Sequence, residues 1–168
     1  LKTPQGTIAE SGAIMRYAAS LAGLDSDDLY TRGKVNEIID VIDGWRTSFT
    51  PTFYIDDLEE KIAARKALFE PGAKIDAGLK VLETLFENSP TGWIAGTEDI
   101  SLADVKAFLN TFMMFSGQFD GIEETMIQPY PLLLEYHQKM ANYPGIKAYY
   151  DREDEWRWVF KPDAFSND

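Results

Sequence analysis

The segment from Gly96 to Asp104 constrains the fold of this chain more than any other, because it marks where a helix must begin. Ser101 and Asp104 lie three residues apart, the spacing at which each side chain can bind the backbone N–H of the other residue in a capping box. Ile100 precedes this pair and can pack against Val105 across the first turn. The pattern predicts that a helix begins at Ser101 and that Ser101 and Asp104 have structural capping roles.

The helix after Ser101 has a wide apolar and aromatic face. The positions that recur every three or four residues are Leu102, Val105, Phe108, Leu109, Phe112 and Met113. Such a face is typical of a helix at the centre of a domain rather than at its rim. We therefore expect the other helices to pack around this one.

Helical periodicity extends over most of the chain. Pro4 to Gly6 forms a turn signal, and the β-prone run over residues 7–9 predicts one short strand. The predicted helices besides the central one cover residues 11–22, 31–49, 56–68, 75–86, 131–141 and 144–153, with a break near Pro71. The apolar face of the helix over residues 11–22 consists of Ala13, Ile14, Tyr17, Ala18 and Leu21. The expected fold class is all-α apart from the single strand.

Charge and cysteine content exclude several kinds of function. The 168 residues include 16 basic and 28 acidic side chains, and the net charge of -12 repels nucleic-acid phosphates and anionic membrane surfaces. No cysteine is present, so these residues form no disulfide, thiolate metal site or cysteine nucleophile. No apolar run approaches the roughly 20 residues that span a bilayer. We expect no metal, no nucleic-acid partner and no membrane insertion.

Three sequence motifs, in this order, resemble those of the cytosolic glutathione transferases. The segment Gly6 to Tyr17 resembles the family element "(Q/E)-S-x-A-I-x-x-Y", in which a strand delivers an acidic or amide residue and a serine to a helix start. The segment Gly96 to Asp104 resembles the hallmark "G-x-x-(I/L)-(S/T)-x-A-D" of the family's central helix. The helix starts at Tyr130-Pro131 and from Tyr143 to Tyr149 complete the likeness.

The resemblance implies a domain organisation. Residues 1–23 would be a remnant of the thioredoxin-like glutathione-binding domain, contributing its last strand and helix, and residues 24–168 would be the C-terminal helical domain. The family reaction joins the glutathione sulfur to an electrophile with the help of a tyrosine, serine or cysteine that stabilises the thiolate. That residue is expected upstream of Leu1, so this chain alone is expected to be inactive.

Glu10 and Ser11 are the candidate glutathione-binding residues. A helix N-terminus offers unpaired N–H groups and the positive end of the helix dipole, so Ser11 can hold a carboxylate there. Glu10 can pair with an ammonium group. The γ-glutamyl end of glutathione carries both charges on one carbon. The alternative interpretation is that Ser11 is only an N-cap and Glu10 only a charge favoured near a helix start.

Four further residues are candidate site residues, but the sequence patterns around them are less specific. Asp43 lies on the long helix that faces the two-fold axis in this family, where the resemblance implies a contact with the partner subunit's glutathione. The alternative is that Asp43 is only a solvated helix charge. Trp45, Phe49 and Tyr54 lie near the family's hydrophobic co-substrate site, although aromatic residues at helical spacing are also typical of a core.

His137 and two tryptophans complete the candidate residues. The only histidine, His137, has no partner motif and is expected to be a titrating surface residue. Trp156 and Trp158 could cover the co-substrate cleft, although a subunit contact is an equal alternative.

The resemblance also implies partners and a location. We expect a cytoplasmic detoxification enzyme that binds glutathione as co-substrate and small hydrophobic electrophiles, uses no other cofactor, and forms a homodimer through the helices over residues 31–49 and 58–68. The alternative is a non-catalytic scaffold or assembly subunit, similar to the gamma subunit of the translation elongation factor complex. A thiolate-activating residue in the first strand of the thioredoxin-like domain would distinguish the enzyme from the scaffold.

Overall fold

A computed structural model describes residues 1–151 of the chain, which form seven α-helices and one two-stranded hairpin. The strands are β1 (Lys2–Thr3) and β2 (Gly6–Thr7), and two short 3-10 helices cover Thr50–Tyr54 and Glu124–Ile127. The helices are α1 (Ser11–Leu21), α2 (Leu29–Phe49), α3 (Leu58–Ala67), α4 (Lys74–Glu87), α5 (Leu102–Met114), α6 (Pro131–Ala141) and α7 (Pro144–Tyr150). The all-α prediction is confirmed. Within residues 1–151, no helix combines the length and the apolar character needed to cross a membrane.

The central position of α5 follows from its wide apolar face. It packs against α2 on one side and α6 on another, and α4 packs between α2 and α6. The buried face of α5 includes Ala103, Ala107, Phe108 and Phe112. Helices α2 and α4 approach closely because Gly78 has no side chain: a Cβ atom there would lie 2.4 Å from Cδ1 of Trp45. The bundle around α5 is the arrangement that the sequence predicts.

Most predicted boundaries are confirmed to within a few residues. Helix α2 begins at Leu29 because Asp28 caps it, accepting from the backbone N–H of Thr31 at 2.7 Å. Asp57 caps α3 in the same way, and the break near Pro71 separates α3 from α4. Helix α7 ends at Tyr150. Asp151 is the C-cap, so the predicted helix does not continue through this residue. The rest of the predicted continuation to residue 153, and the role suggested for Trp156 and Trp158, lie outside the described residues.

The N-terminal strand differs from the prediction of one strand over residues 7–9. The structure shows a hairpin in which Lys2 pairs with Thr7 and Thr3 with Gly6. The Thr3 hydroxyl closes the turn by donating to the Gly6 carbonyl at 2.9 Å. The predicted turn at Pro4 to Gly6 therefore connects two paired strands, β1 and β2, where the sequence predicts one.

Helix α1 does not bury the apolar face that its spacing indicates. Leu21 is 74% exposed, and Ala13 and Ala18 are exposed as well. The helix instead buries Ala19 and packs Met15 against the core. Within the part of the chain that the structure describes, the predicted apolar face is therefore only partly covered, at Ile14 and Tyr17.

His137 corrects the prediction of a titrating surface residue, because it is only 2% exposed. Its ring stacks on Phe108, with the ring centroids 5.1 Å apart, and meets Phe112 edge to face at 4.2 Å. Burial lowers the pKa of His137 to about 4, so the ring is neutral at pH 7. The helical spacing contained this information, since His137 shares the i, i+3, i+4, i+7 face of α6 with Leu133, Tyr136 and Met140.

Candidate binding site at the start of the first helix

Glu10 adopts a strained backbone conformation at the start of α1. It occupies the N-cap position with φ 67° and ψ 124°, and it is the only residue other than glycine with positive φ among residues 1–151. Such a conformation costs an L-residue roughly 1–3 kcal/mol and persists where the surrounding structure imposes it. Strain of this kind clusters at ligand sites, which makes Glu10 a candidate site residue on structural grounds.

Ser11 is the first residue of α1 and is exposed to solvent. The alternative interpretation requires Ser11 to be the N-cap, but Glu10 occupies that position. The Glu10 side chain makes no capping hydrogen bond. The first helical hydrogen bond is donated by Ile14 to the Glu10 carbonyl at 3.0 Å. The backbone N–H groups of residues 11–13 precede that bond and have no acceptor within the helix.

The start of α1 thus combines three features on two adjacent residues. It presents unpaired backbone donors with the positive end of the helix dipole, an exposed hydroxyl at Ser11 and a carboxylate at Glu10. An anion can accept from the N–H groups and the hydroxyl, while a neighbouring cation can pair with the carboxylate. The arrangement suits a small zwitterionic group whose two charges lie on one carbon.

Asp43 lies on α2 and binds within its own chain. Its carboxylate accepts from Nζ of Lys106 on α5 at 2.8 Å and from Nη1 of Arg46 at 3.3 Å. Lys106 is nearly buried, whereas the Asp43 side chain is about half-buried. Asp43 therefore links α2 to α5 through Lys106. Only the exposed part of its side chain can contact a second subunit. Its predicted cross-subunit contact stays a prediction.

The three aromatic residues predicted for the co-substrate site occupy different environments. Trp45 is fully buried against Gly78, and Phe49 is buried at the end of α2. The Phe49 ring packs edge to face with Phe119 at 5.1 Å, while Tyr54 is 82% exposed. Trp45 and Phe49 are core residues of the bundle, whereas Tyr54 faces solvent, and the role of the three at a co-substrate site stays a prediction.

The start of α5 has the opposite character to that of α1. The Asp104 carboxylate accepts from the backbone N–H of Ser101 at 2.8 Å and from its hydroxyl at 2.6 Å. It also accepts from the N–H of Ile94 at 2.8 Å and from the hydroxyl of Tyr136 at 2.9 Å. Burial and the neighbouring Asp104 carboxylate raise the pKa of Tyr136 well above its usual range, so the phenol remains a donor. The predicted capping box is confirmed, and the hydrogen bonds within the chain occupy both oxygens of the Asp104 carboxylate.

Comparisons with known proteins agree with this architecture. A family model described as "Glutathione S-transferase, C-terminal domain" matches residues 43–153. Prostaglandin synthase D of Nilaparvata lugens has a similar structure, with a TM-score of 0.75 and 20% identity over 91% of this chain and 72% of that chain. NaGST1, in an orthorhombic crystal, has a TM-score of 0.74 and 19% identity over 90% of this chain and 72% of that chain. No curated protein matches the sequence significantly. At these identities the two solved structures establish a common fold.

Proposed function

The chain belongs to the glutathione S-transferase family through its C-terminal domain, and from this premise we propose that it is part of a cytoplasmic detoxification enzyme that conjugates glutathione to small hydrophobic electrophiles. In this reaction the thiolate sulfur of glutathione bonds to an electrophilic carbon, and the leaving group departs with its bonding electron pair. Glutathione is the co-substrate, and the proposal requires no further cofactor.

The observation that carries the proposal is the strained, uncapped start of α1. Glu10 holds a positive φ and leaves the helix N-terminus without a side-chain cap. Within residues 1–151 neither Glu10 nor Ser11 uses its side chain in a hydrogen bond or ion pair, so both groups are available to a ligand. We assign the γ-glutamyl carboxylate to Ser11 and the adjacent N–H groups, and the γ-glutamyl ammonium to the carboxylate of Glu10.

The partly exposed apolar face of α1 supports the assignment of residues 1–23 to a thioredoxin-like domain. Ile14 and Tyr17 are only partly buried and Leu21 is exposed, although their spacing forms an apolar stripe. An apolar helix face of this kind requires a packing partner, and a β-sheet of the same domain provides one in the proposed organisation. The residue that stabilises the glutathione thiolate is proposed to belong to that sheet region.

The experiment that tests the site is calorimetric titration of the full-length protein with glutathione. Ser11→Ala removes one charge-assisted hydrogen bond worth roughly 1.5–3 kcal/mol, which lowers affinity by about one to two powers of ten. Glu10→Ala is expected to weaken binding in the same direction. The matched control is Ser20→Ala, at the other end of α1, whose hydroxyl binds the Arg16 carbonyl and Asp25. Unchanged affinity in both site variants would overturn the assignment and favour the non-catalytic scaffold.

We also propose a homodimer formed along α2 and α3. Three large apolar side chains on these helices, Leu29, Tyr30 and Leu58, are more than half exposed, which supports a covered surface there. A two-fold pair is the commonest closed oligomer, and it would place the exposed part of Asp43 beside the partner. Light scattering of the full-length protein should give twice the monomer mass at micromolar concentration, and a monomer would contradict the proposal.

A further inference from the structure

Helix α1 is held to the bundle by few apolar contacts. Ala19 is its only fully buried residue, and Met15 packs partly against the core. Both lie beyond its first turn, so they do not fix the start of the helix at Ser11. The attachment of that end to α2 is made by a polar side chain, Arg16.

Arg16 reaches from α1 to two side chains on α2 and back to its own helix. Its Nε donates to Oδ1 of Asn36 at 2.7 Å, and its Nη2 lies 3.4 Å from Oδ1 of Asp40. Its Nη1 donates to the carbonyl of Gly12 at 3.5 Å. The bond to Asn36 is the short one, whereas the Asp40 carboxylate is mostly exposed and its ion pair is correspondingly weak. The Asn36 amide is therefore the main anchor.

Asn36 is itself held in the orientation that receives Arg16. Its Nδ2 donates to the backbone carbonyl of Arg32, one turn earlier in α2, at 3.0 Å. This bond directs Oδ1 of the amide towards α1. A carbonyl of α2, the Asn36 amide, the guanidinium and the Gly12 carbonyl thus form one continuous series of hydrogen bonds.

Gly12 lets the guanidinium lie directly against the first turn of α1. A Cβ atom at position 12 would be 3.3 Å from Nη1 of Arg16, closer than most Cβ contacts in proteins. Gly12 directly follows Ser11, so the guanidinium adjoins the residues whose N–H groups are unpaired. The planar guanidinium has several N–H donors and reaches all three acceptors, on Asn36, Asp40 and Gly12. A lysine ammonium, whose donors are on one nitrogen atom, cannot.

We infer that Arg16 is a positioning residue for the glutathione site, in that it fixes the N-terminal turn of α1 on α2 and so holds Glu10 and Ser11 in their binding arrangement. The inference rests on the proposed function for its ligand, but the positioning itself concerns the ligand-free chain. Preorganisation of this kind strengthens binding because the ordering of the turn is complete before the ligand arrives.

The control for this inference is Arg32, which closely matches Arg16. The two side chains are 41% and 40% exposed, and each pairs with carboxylates, but Arg32 binds Asp25 and Asp27 in the loop after α1. Arg16→Ala and Arg32→Ala therefore remove equally exposed arginines, and only the first touches the start of α1.

Two measurements on these variants test the inference. In the ligand-free protein, hydrogen exchange of the Ile14 amide, which makes the first helical bond, should become about tenfold faster in Arg16→Ala and stay unchanged in Arg32→Ala. Affinity for glutathione should fall about tenfold in Arg16→Ala, and Arg16→Lys should restore only part of it. Equal exchange and equal affinity in the two alanine variants would overturn the inference. If the wild type binds no glutathione, the proposed function fails, while the exchange measurement still decides whether Arg16 holds the turn.

Discussion

The two helix starts at Ser11 and Ser101 use the same residue type in opposite ways. At α5 the serine is the N-cap, and the buried Asp104 carboxylate accepts four hydrogen bonds from residues of the bundle. At α1 the serine lies one residue inside the helix, it is exposed, and the N-cap residue Glu10 makes no side-chain cap. One start is closed by its own chain and the other is open.

The difference separates a structural helix start from one that can bind a ligand. Donors that a carboxylate of the same chain already satisfies contribute to stability and are unavailable to any other group. Open donors next to a strained residue contribute little to stability, but they can bind an anion without displacing an internal partner. Substitutions at the α5 start should therefore change stability, and those at the α1 start should change affinity.

The largest effect is expected for Asp104→Ala. The substitution leaves the donors of Ser101, Ile94 and Tyr136 without their shared acceptor, and we expect the free energy of unfolding to fall by about 4 kcal/mol. The nearby Asp99→Ala, at an exposed position, should cost at most about 1 kcal/mol. Chemical denaturation measures both values. A loss at Asp104 no greater than that at Asp99 would remove the distinction between the two helix starts.

The pH dependence of stability should reveal the buried His137, which packs on the Phe108 and Phe112 rings of α5. Burial lowers its pKa from 6.5 to about 4, so between these values the unfolded chain binds a proton that the folded chain does not. The stability contribution is complete above pH 6.5 and is lost as the pH falls towards 4, by about 3 kcal/mol in total.

His137→Leu isolates the histidine effect in that measurement. Burial alone would raise the pKa of Asp76, but hydrogen bonds from Lys80, Gly72 and Tyr130 outweigh it and lower that pKa, so Asp76 also contributes to acid unfolding. Asp76 is present in the wild type and in His137→Leu, and its contribution cancels in the comparison. Between pH 7 and pH 4 the free energy of unfolding should fall less for the variant than for the wild type. An equal fall in both proteins would contradict the assignment of a buried neutral ring.

The smallest effect is expected from relief of the strain at Glu10. Glycine adopts positive φ without the steric penalty of an L-residue, so Glu10→Gly should be about 1 kcal/mol more stable than Glu10→Ala. Both variants lack the carboxylate and should lose glutathione affinity equally. Thermal unfolding together with titration checks both statements. A glycine variant no more stable than the alanine variant would show that the backbone at position 10 is not strained.

Features that depend on short sequence spacing could be predicted, and those that depend on distant partners could not. The capping box at Ser101 is local, because its two members lie three residues apart. The burial of Arg65 depends on the bond it donates to the backbone carbonyl of Asp120, 55 residues away. The hydrogen bond from Tyr130 to the buried Asp76 likewise spans 54 residues. Neither pairing has a signal in the local pattern of residues.

The candidate site shows the same division. Glu10 and Ser11 could be predicted because their sequence resembles a family motif, whereas the positive φ of Glu10, which is uncommon for a residue other than glycine, could not. Arg16 could not be predicted as a positioning residue, because its partner Asn36 is 20 residues away on another helix. His137 could have been predicted as buried from its place on the apolar face of α6.

The most direct test of the contrast between the two helix starts compares Ser11→Ala with Ser101→Ala, with glutathione affinity and free energy of unfolding measured for each variant. Ser11→Ala should lower affinity by about one to two powers of ten and leave stability nearly unchanged. Ser101→Ala removes the hydroxyl that donates to the buried Asp104 carboxylate, so it should lower stability by roughly 1.5–3 kcal/mol and leave the affinity of the folded protein unchanged. The opposite pattern, or the same pattern in both variants, would contradict the assignment of an open binding start at α1 and a closed structural start at α5.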